Sequence, residues 1–271
     1  MKKKDVFVSF VKGVITGIAT IVPGVSTGAI VLSVNAYEDV VESINNITKK
    51  DNKVFLFVTV PLIIGLILGI IGGVPLIDYL WNKWKVQTIL LFVGLVFGGI
   101  LVIHKKQKIK VTKKAIALYI VIPIIFIGLY LLLKNVIILN KVDSISNIAL
   151  LGLITGIGIL IPGLSLITSK LGNNYSYILD IIKHISSSNI LSLIVFILII
   201  LLVIVICAKT MHKLIAKTKR KTYIILCSLM LSSIAISLLQ INDFTFDFVN
   251  VFTSLIALLW GFIFGKNVVK E

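Results

Sequence analysis

Apolar positions along this chain do not alternate with polar ones at helical or strand period. They gather into long unbroken runs separated by short polar stretches. Runs at 54–80, 86–103 and 115–139, and again at 190–208, 222–241 and 248–265, are each close to the about 20 residues that an α-helix needs to cross a hydrocarbon core of about 30 Å. Six membrane-spanning helices are predicted. Two further apolar stretches, 6–37 and 145–171, are interrupted near their centres by Pro23-Gly24 and Pro162-Gly163. Proline disfavours helical geometry in the residue before it and has no N–H to donate, while glycine permits a tight reversal. Each stretch is therefore predicted to turn back on itself, with a new helix starting at Val25–Ser26 or Leu164–Ser165.

The two broken stretches are copies of one unit. GVITGIATIVPGVS from Gly13 aligns with GLITGIGILIPGLS from Gly152, and eight of the fourteen positions are identical. The identities include Thr16/Thr155, Pro23/Pro162, Gly24/Gly163 and Ser26/Ser165, residue types that do not recur by chance in an apolar chain as Ile or Leu would. Each copy is followed by three apolar runs, so the chain divides into halves 1–139 and 140–271. Lys2–Lys4 ahead of an apolar stretch is similar to a secretion signal, but the same pattern in mid-chain marks it as part of the fold.

Charge then orients the halves. Loop 104–114 carries Lys105, Lys106, Lys108, Lys110, Lys113 and Lys114, and loop 209–221 carries Lys209, Lys213, Lys217, Lys219, Arg220 and Lys221. By the positive-inside rule both lie in the cytoplasm. Two points on one side are joined by an even number of crossings, so with 115–139 and 190–208 both spanning, segment 145–171 enters and leaves on the outer face. The same counting from a cytoplasmic N-terminus makes 6–37 a hairpin entering from inside, and puts loop 242–247, with Asp243 and Asp247, outside and the C-terminus inside. The expected fold is an all-α polytopic integral membrane protein of two inverted repeats, each one re-entrant hairpin plus three transmembrane helices. Composition agrees: 58% of residues are hydrophobic and 14% charged, and mean hydropathy is +1.10. The net charge of +16 sits in the loops between apolar runs, which points to membrane lipids and away from nucleic acid. Cys207 and Cys227 both fall inside apolar runs and read as core residues.

The chemistry is expected at the hairpin tips. A helix start exposes unpaired N–H groups, which suits an anion. Ser26 and Thr27 add hydroxyl donors, and Gly28 lets a headgroup approach the backbone. The candidate binding residues are Gly24, Val25, Ser26, Thr27 and Gly28, opposed by Gly163, Leu164 and Ser165. Lys12, on the approach to the first tip, Glu38, just after it, and Lys170, beyond the second, are secondary candidates. Asp78, His104 and His184 fall near run ends, where an interfacial role is expected. The sequence has no nucleophile and base pair, metal-ligand spacing, phosphate-loop motif or helical carboxylate pair, so neither an enzyme nor a cofactor is expected.

Pro23, Gly24, Val25, Ser26 and Gly28, followed by Tyr37 and Glu38, resemble the Pro-Gly-Val-Ser-Gly-Gly-Thr and Gly-x-Tyr-Glu signature of the bacterial domain of unknown function 368 family. That family includes PopT-type undecaprenyl phosphate translocases. Departures fall at Thr27, Ala29 and Asn35, and the second motif keeps Pro162, Gly163 and Ser165. The resemblance implies a plasma-membrane lipid transporter that returns undecaprenyl phosphate, or a related anionic isoprenoid lipid, from the outer to the cytoplasmic leaflet for envelope synthesis. The alternative on the same inverted-repeat plan is a secondary transporter or channel for a small ion or anion.

Overall fold

A computed structural model describes residues 3–22, 25–38, 40–41, 55–133, 145–163, 190–241 and 244–268. All regular structure among them is helical: α1 Lys3–Thr20, α2 Thr27–Ser33, a π-helical turn Phe55–Thr59 leading into α3 Val60–Lys106, α4 Lys113–Leu133, α5 Ile145–Leu160, α6 Ile190–Leu238 and α7 Phe248–Val268.

Four helical segments are long and apolar enough to cross a membrane: Leu56–Lys106, Lys113–Leu132, Ile190–Leu238 and Phe248–Asn267. Helices α3 and α6 are too long for one crossing, since 47 and 49 residues extend about 70 Å at the helical rise. Each is broken once, and in nearly the same conformation: Trp84 has φ −138° and ψ 50°, and Thr218 has φ −142° and ψ 54°. The breaks divide α3 into limbs 60–83 and 85–106, and α6 into limbs 190–217 and 219–238, so six membrane-length pieces result. The expected loop 209–221 is helical apart from Thr218. It contains neither Gly nor Pro, and Lys, Ala, Leu and Met are good helix formers, so the helix runs on past the apolar stretch. Segment 60–83 likewise stays helical through Gly72, Gly73 and Pro75. The parts of runs 54–80 and 115–139 at 54 and 134–139, and of stretch 145–171 at 164–171, lie outside the described residues.

Close backbone seams join the pieces. Gly13 and Gly17 of α1 face the carbonyls of Leu62 and Leu66, while Gly65 and Gly69 of limb 60–83 face those of Phe10 and Val14. The two helices run in the same direction, because positions advance together along both. The duplicated Gly152 and Gly156 do the same work in α5, lying against Phe196, Ile199, Ile200 and Val203 of limb 190–217. Small residues let helices approach closely in a lipid solvent that offers no hydrophobic drive between them.

Two helices pack on partners from distant parts of the chain. Helix α7 packs on limb 85–106, Gly261 and Gly265 facing the carbonyls of Leu91 and Leu95 while Gly94 and Gly98 face those of Leu258 and Phe262. Helix α4 packs on limb 219–238, where Tyr130 and Ile236 share a buried cluster with Phe126 and Ile127. Large apolar side chains on the outer surfaces of α4, α6 and α7, such as Ile124, Leu202 and Trp260, are exposed and suit contact with lipid. A side chain at Gly261 would collide with the Leu91 carbonyl, which is fixed in its own helix. Gly261→Val is therefore expected to cost at least about 3 kcal/mol, the upper end for overpacking, and to lower the thermal midpoint of the detergent-purified protein. Gly128→Ala, with open space around the site, should leave that midpoint unchanged.

Candidate functional site

After α1, Val22 N–H donates to Ala19 O and Val25 N–H to Val22 O. Ser26 then caps α2: its backbone is extended (φ −83°, ψ 112°) and its Oγ accepts from Ala29 N–H. Helix α2 has seven residues, all buried, and Ser26 is fully buried before it.

The Ser26 hydroxyl is also where the two duplicated breaks meet. Gly163 N–H donates to Ser26 Oγ at 2.9 Å. Gly163 has a left-handed φ of 83°, a conformation that favours glycine, and in it the N–H meets Ser26. Gly28 completes the junction. A Cβ there would stand 3.1 Å from Gly158 O, Ile161 C and Pro162 N, so the missing side chain is the space into which the end of α5 fits. Val25 and Thr27 are buried beside it, at 7% and 6% exposure.

Limb 219–238 runs past this junction. A Cβ on Gly163 would lie 3.3 Å from Leu229 O, and Leu229 is roughly ten residues, or about 15 Å of helix, beyond Lys219.

Toward the Lys-rich end, α2 leads into a polar cluster. Lys12, 8% exposed, donates to Asn35 O at 3.2 Å, and Lys106 donates to Asn35 Oδ1 at 2.8 Å. Glu38 Oε1 accepts from Tyr223 OH at 2.5 Å and Gln107 Nε2 at 3.2 Å, and lies 3.3 Å from Lys219 Nζ. Its Oε2 lies 3.8 Å from Lys106 Nζ. Lys106 and Lys219 come from the two Lys-rich segments, so one carboxylate brings both segments to a single face of the protein.

The structure thus brings together Val25, Ser26, Thr27, Gly28 and Gly163 at one buried junction, and separately Lys12 and Glu38 at the Lys-rich face. Gly24, Leu164, Ser165 and Lys170 lie outside the described residues. Burial acts to raise the Glu38 pKa, but the Tyr223 hydrogen bond and the Lys219 and Lys106 charges outweigh it and hold the carboxyl below its ordinary value. A carboxyl depressed by folding contributes stability above its unfolded pKa and loses it as pH falls through the folded value. The thermal-midpoint gap between wild type and Glu38→Gln is therefore expected to stay constant from neutral pH down to the ordinary carboxylate range and to close only below it. A gap closing near neutral pH would contradict the ion pairs.

The family described as VCA0040-like, undecaprenyl phosphate translocase-like, matches residues 16–245, a span that includes both breaks, the Glu38 cluster and both kinks. The chain belongs to this family. No curated protein matches the chain, and no solved structure does. The chain is thus a multi-pass membrane protein of a translocase-like family.

Within this VCA0040-like chain, Asn35 explains one departure from the signature noted above. Its φ is 55°, the left-handed region that glycine enters freely and asparagine enters more readily than other residues. Asn therefore stands where the pattern has Gly, and its side chain adds a contact to Lys106. Tyr223, Gln107 and Lys219 carried no local motif, because they reach Glu38 only through the tertiary fold.

Proposed function

We propose that the protein moves undecaprenyl phosphate from the outer to the cytoplasmic leaflet of a bacterial plasma membrane, using two inverted halves whose re-entrant hairpins meet at the substrate path. The observation that carries this reading is the Ser26–Gly163 hydrogen bond, which joins the two copies of the duplicated unit about 15 Å of helix from Lys219. The obstacle to flipping a lipid phosphate is its charge, which costs at least about 2.5–3.5 kcal/mol at the bilayer centre even on permissive scales. Ser26 Oγ now accepts the N–H groups of Ala29 and Gly163. A phosphate oxygen entering between the tips would take over those two donors and gain the Ser26 and Thr27 hydroxyls, while the isoprenoid tail stayed in lipid.

The packing supports opposite entry of the hairpins. Helix α1 runs away from the Lys-rich face, since Lys12 is at that face and Ser26 is at the junction with Gly163. Helix α5 runs beside limb 190–217 in the same direction, and that limb ends at the Lys-rich face just before Thr218, so α5 approaches the junction from the other side. With the Lys-rich face cytoplasmic, both termini are inside and residues 244–247 are outside. That face also gives the phosphate its more favourable end point, which supports inward transport. The family favours a transporter over an enzyme.

Cells lacking the protein are expected to accumulate undecaprenyl phosphate in the outer leaflet, measured with a membrane-impermeant headgroup label, and re-expression should reverse this. Unchanged surface exposure would sink the proposal. Cysteine scanning supplies an independent check of orientation: an impermeant thiol reagent should label Thr245→Cys in intact cells and leave Lys108→Cys and Lys217→Cys unlabelled. Labelling of either Lys-segment position would reverse the topology.

A further inference from the structure

We infer that Lys106, Lys219, Tyr223 and Gln107 form a second phosphate site, for the monoester headgroup of a lipid at the Lys-rich face, and that the Glu38 carboxylate occupies it as an internal stand-in. The site lies about 15 Å of helix away from the Ser26–Gly163 junction. It therefore extends the proposed path to its end, and only the identity of the lipid rests on the translocation reading.

Three features support a binding site over a simple ion pair. Four donors from two distant segments converge on one carboxylate: the Tyr223 hydroxyl, the Gln107 amide and the two ammonium groups. Among the described residues two lysines face the one Glu38 carboxylate, a positive surplus that a phosphate dianion would neutralise. Both ammonium-bearing side chains are open to the surroundings, at 43% and 52% exposure, so a headgroup in the interfacial layer can reach them without unfolding anything. A phosphate offers three strong acceptor oxygens to the same donors, and its arrival would free Glu38.

Release of Glu38 has a structural consequence. Asn35 and Glu38 follow directly on α2, whose other end is capped by Ser26. Headgroup binding at the Lys-rich face would untie the returning arm of the first hairpin from α3 and α6, and so loosen the tip that meets Gly163.

The test is equilibrium binding of farnesyl phosphate, and separately of inorganic phosphate, to the full chain in neutral-lipid nanodiscs. Wild type should bind farnesyl phosphate more tightly than inorganic phosphate. Glu38→Gln, which removes the competing charge, should tighten farnesyl phosphate binding by roughly tenfold, and Lys106→Gln with Lys219→Gln should weaken it by roughly tenfold or more. A purely structural salt bridge would lower thermal stability in all variants without moving affinity in opposite directions. Unchanged or weaker binding by a folded Glu38→Gln protein overturns the assignment, and so does unchanged binding by the double lysine variant, which decides the matter if Glu38→Gln does not fold. Equal affinity for the two ligands overturns the lipid assignment. Opposite shifts in a protein that flips no lipid would uphold this site and sink the translocation reading instead.

Discussion

Replacing Gly28 by Leu is expected to lower undecaprenyl phosphate flipping by at least roughly 100-fold in reconstituted vesicles, the cost of losing about 3 kcal/mol of correct geometry. The reason is spatial. Even a Cβ at this position would stand 3.1 Å from backbone atoms of Gly158, Ile161 and Pro162, and backbone in a packed helix end cannot rotate away as a side-chain tip can. A leucine must push the end of α5 off α2, which separates Gly163 N–H from Ser26 Oγ. Gly28→Ala asks for only a few tenths of an ångström and should fall between wild type and Gly28→Leu. No charge is added to the apolar segment, so both proteins should still reach the membrane. Normal flipping by folded Gly28→Leu would show that the tips need not touch, and loss of the protein from the membrane would assign Gly28 to packing alone.

Ser26→Ala carries the second large effect. The hydroxyl caps α2 and receives Gly163 N–H, and in the proposed transport step it turns from acceptor to donor toward the phosphate. A hydrogen bond to a charged group contributes about 1.5–3 kcal/mol, so transport should fall roughly 10- to 100-fold. The cap itself is worth about 1 kcal/mol, which predicts a small drop in thermal midpoint beside the large drop in rate. Ser26→Thr keeps the hydroxyl and should recover much of the activity. A variant that lost stability and transport in proportion, with no recovery in Ser26→Thr, would point to a structural cap only.

How much of this could be read from residues alone differs by feature. The six apolar runs, the two Pro-Gly breaks and their duplication are local patterns, and Gly163 with its left-handed φ sits where the second break was expected. The common face of the two Lys-rich segments was also legible, because the positive-inside rule acts on composition, and Glu38 touches both segments. The partners of each helix were not legible. Helices that are apolar all round carry no stripe to distinguish a lipid-facing side from a buried one, so the crossing of α4 to limb 219–238 and of α7 to limb 85–106 left no trace in periodicity. One spacing did hold that information: Gly94 and Gly98, with Gly261 and Gly265, form small-residue pairs four apart. At the tip, Gly28 was expected to leave room for a headgroup. In the structure that room is taken by the end of α5, so on the proposed path the two breaks would part before a phosphate entered.

That parting ties the two polar sites together. Ser26 Oγ holds the donors at the junction and Glu38 holds the Lys-rich donors, and each is an internal acceptor where the substrate would bring an external one. Helix α2 links them within a few turns. On the proposed path, these internal acceptors would keep buried donors from remaining unpaired in hydrocarbon while no substrate is bound.

The most direct test reconstitutes the purified protein into vesicles containing undecaprenyl phosphate in both leaflets and adds an impermeant phosphatase outside. Without flipping, only the outer-leaflet share is hydrolysed. Wild-type protein is expected to carry hydrolysis close to completion, Ser26→Ala to reach the same end point roughly 10- to 100-fold more slowly, and a vesicle-entrapped phosphate ester to stay unhydrolysed as the control for leakage. Hydrolysis that halts at the outer-leaflet share with folded wild-type protein would contradict translocation, and equal rates for wild type and Ser26→Ala would contradict the path through the meeting hairpins.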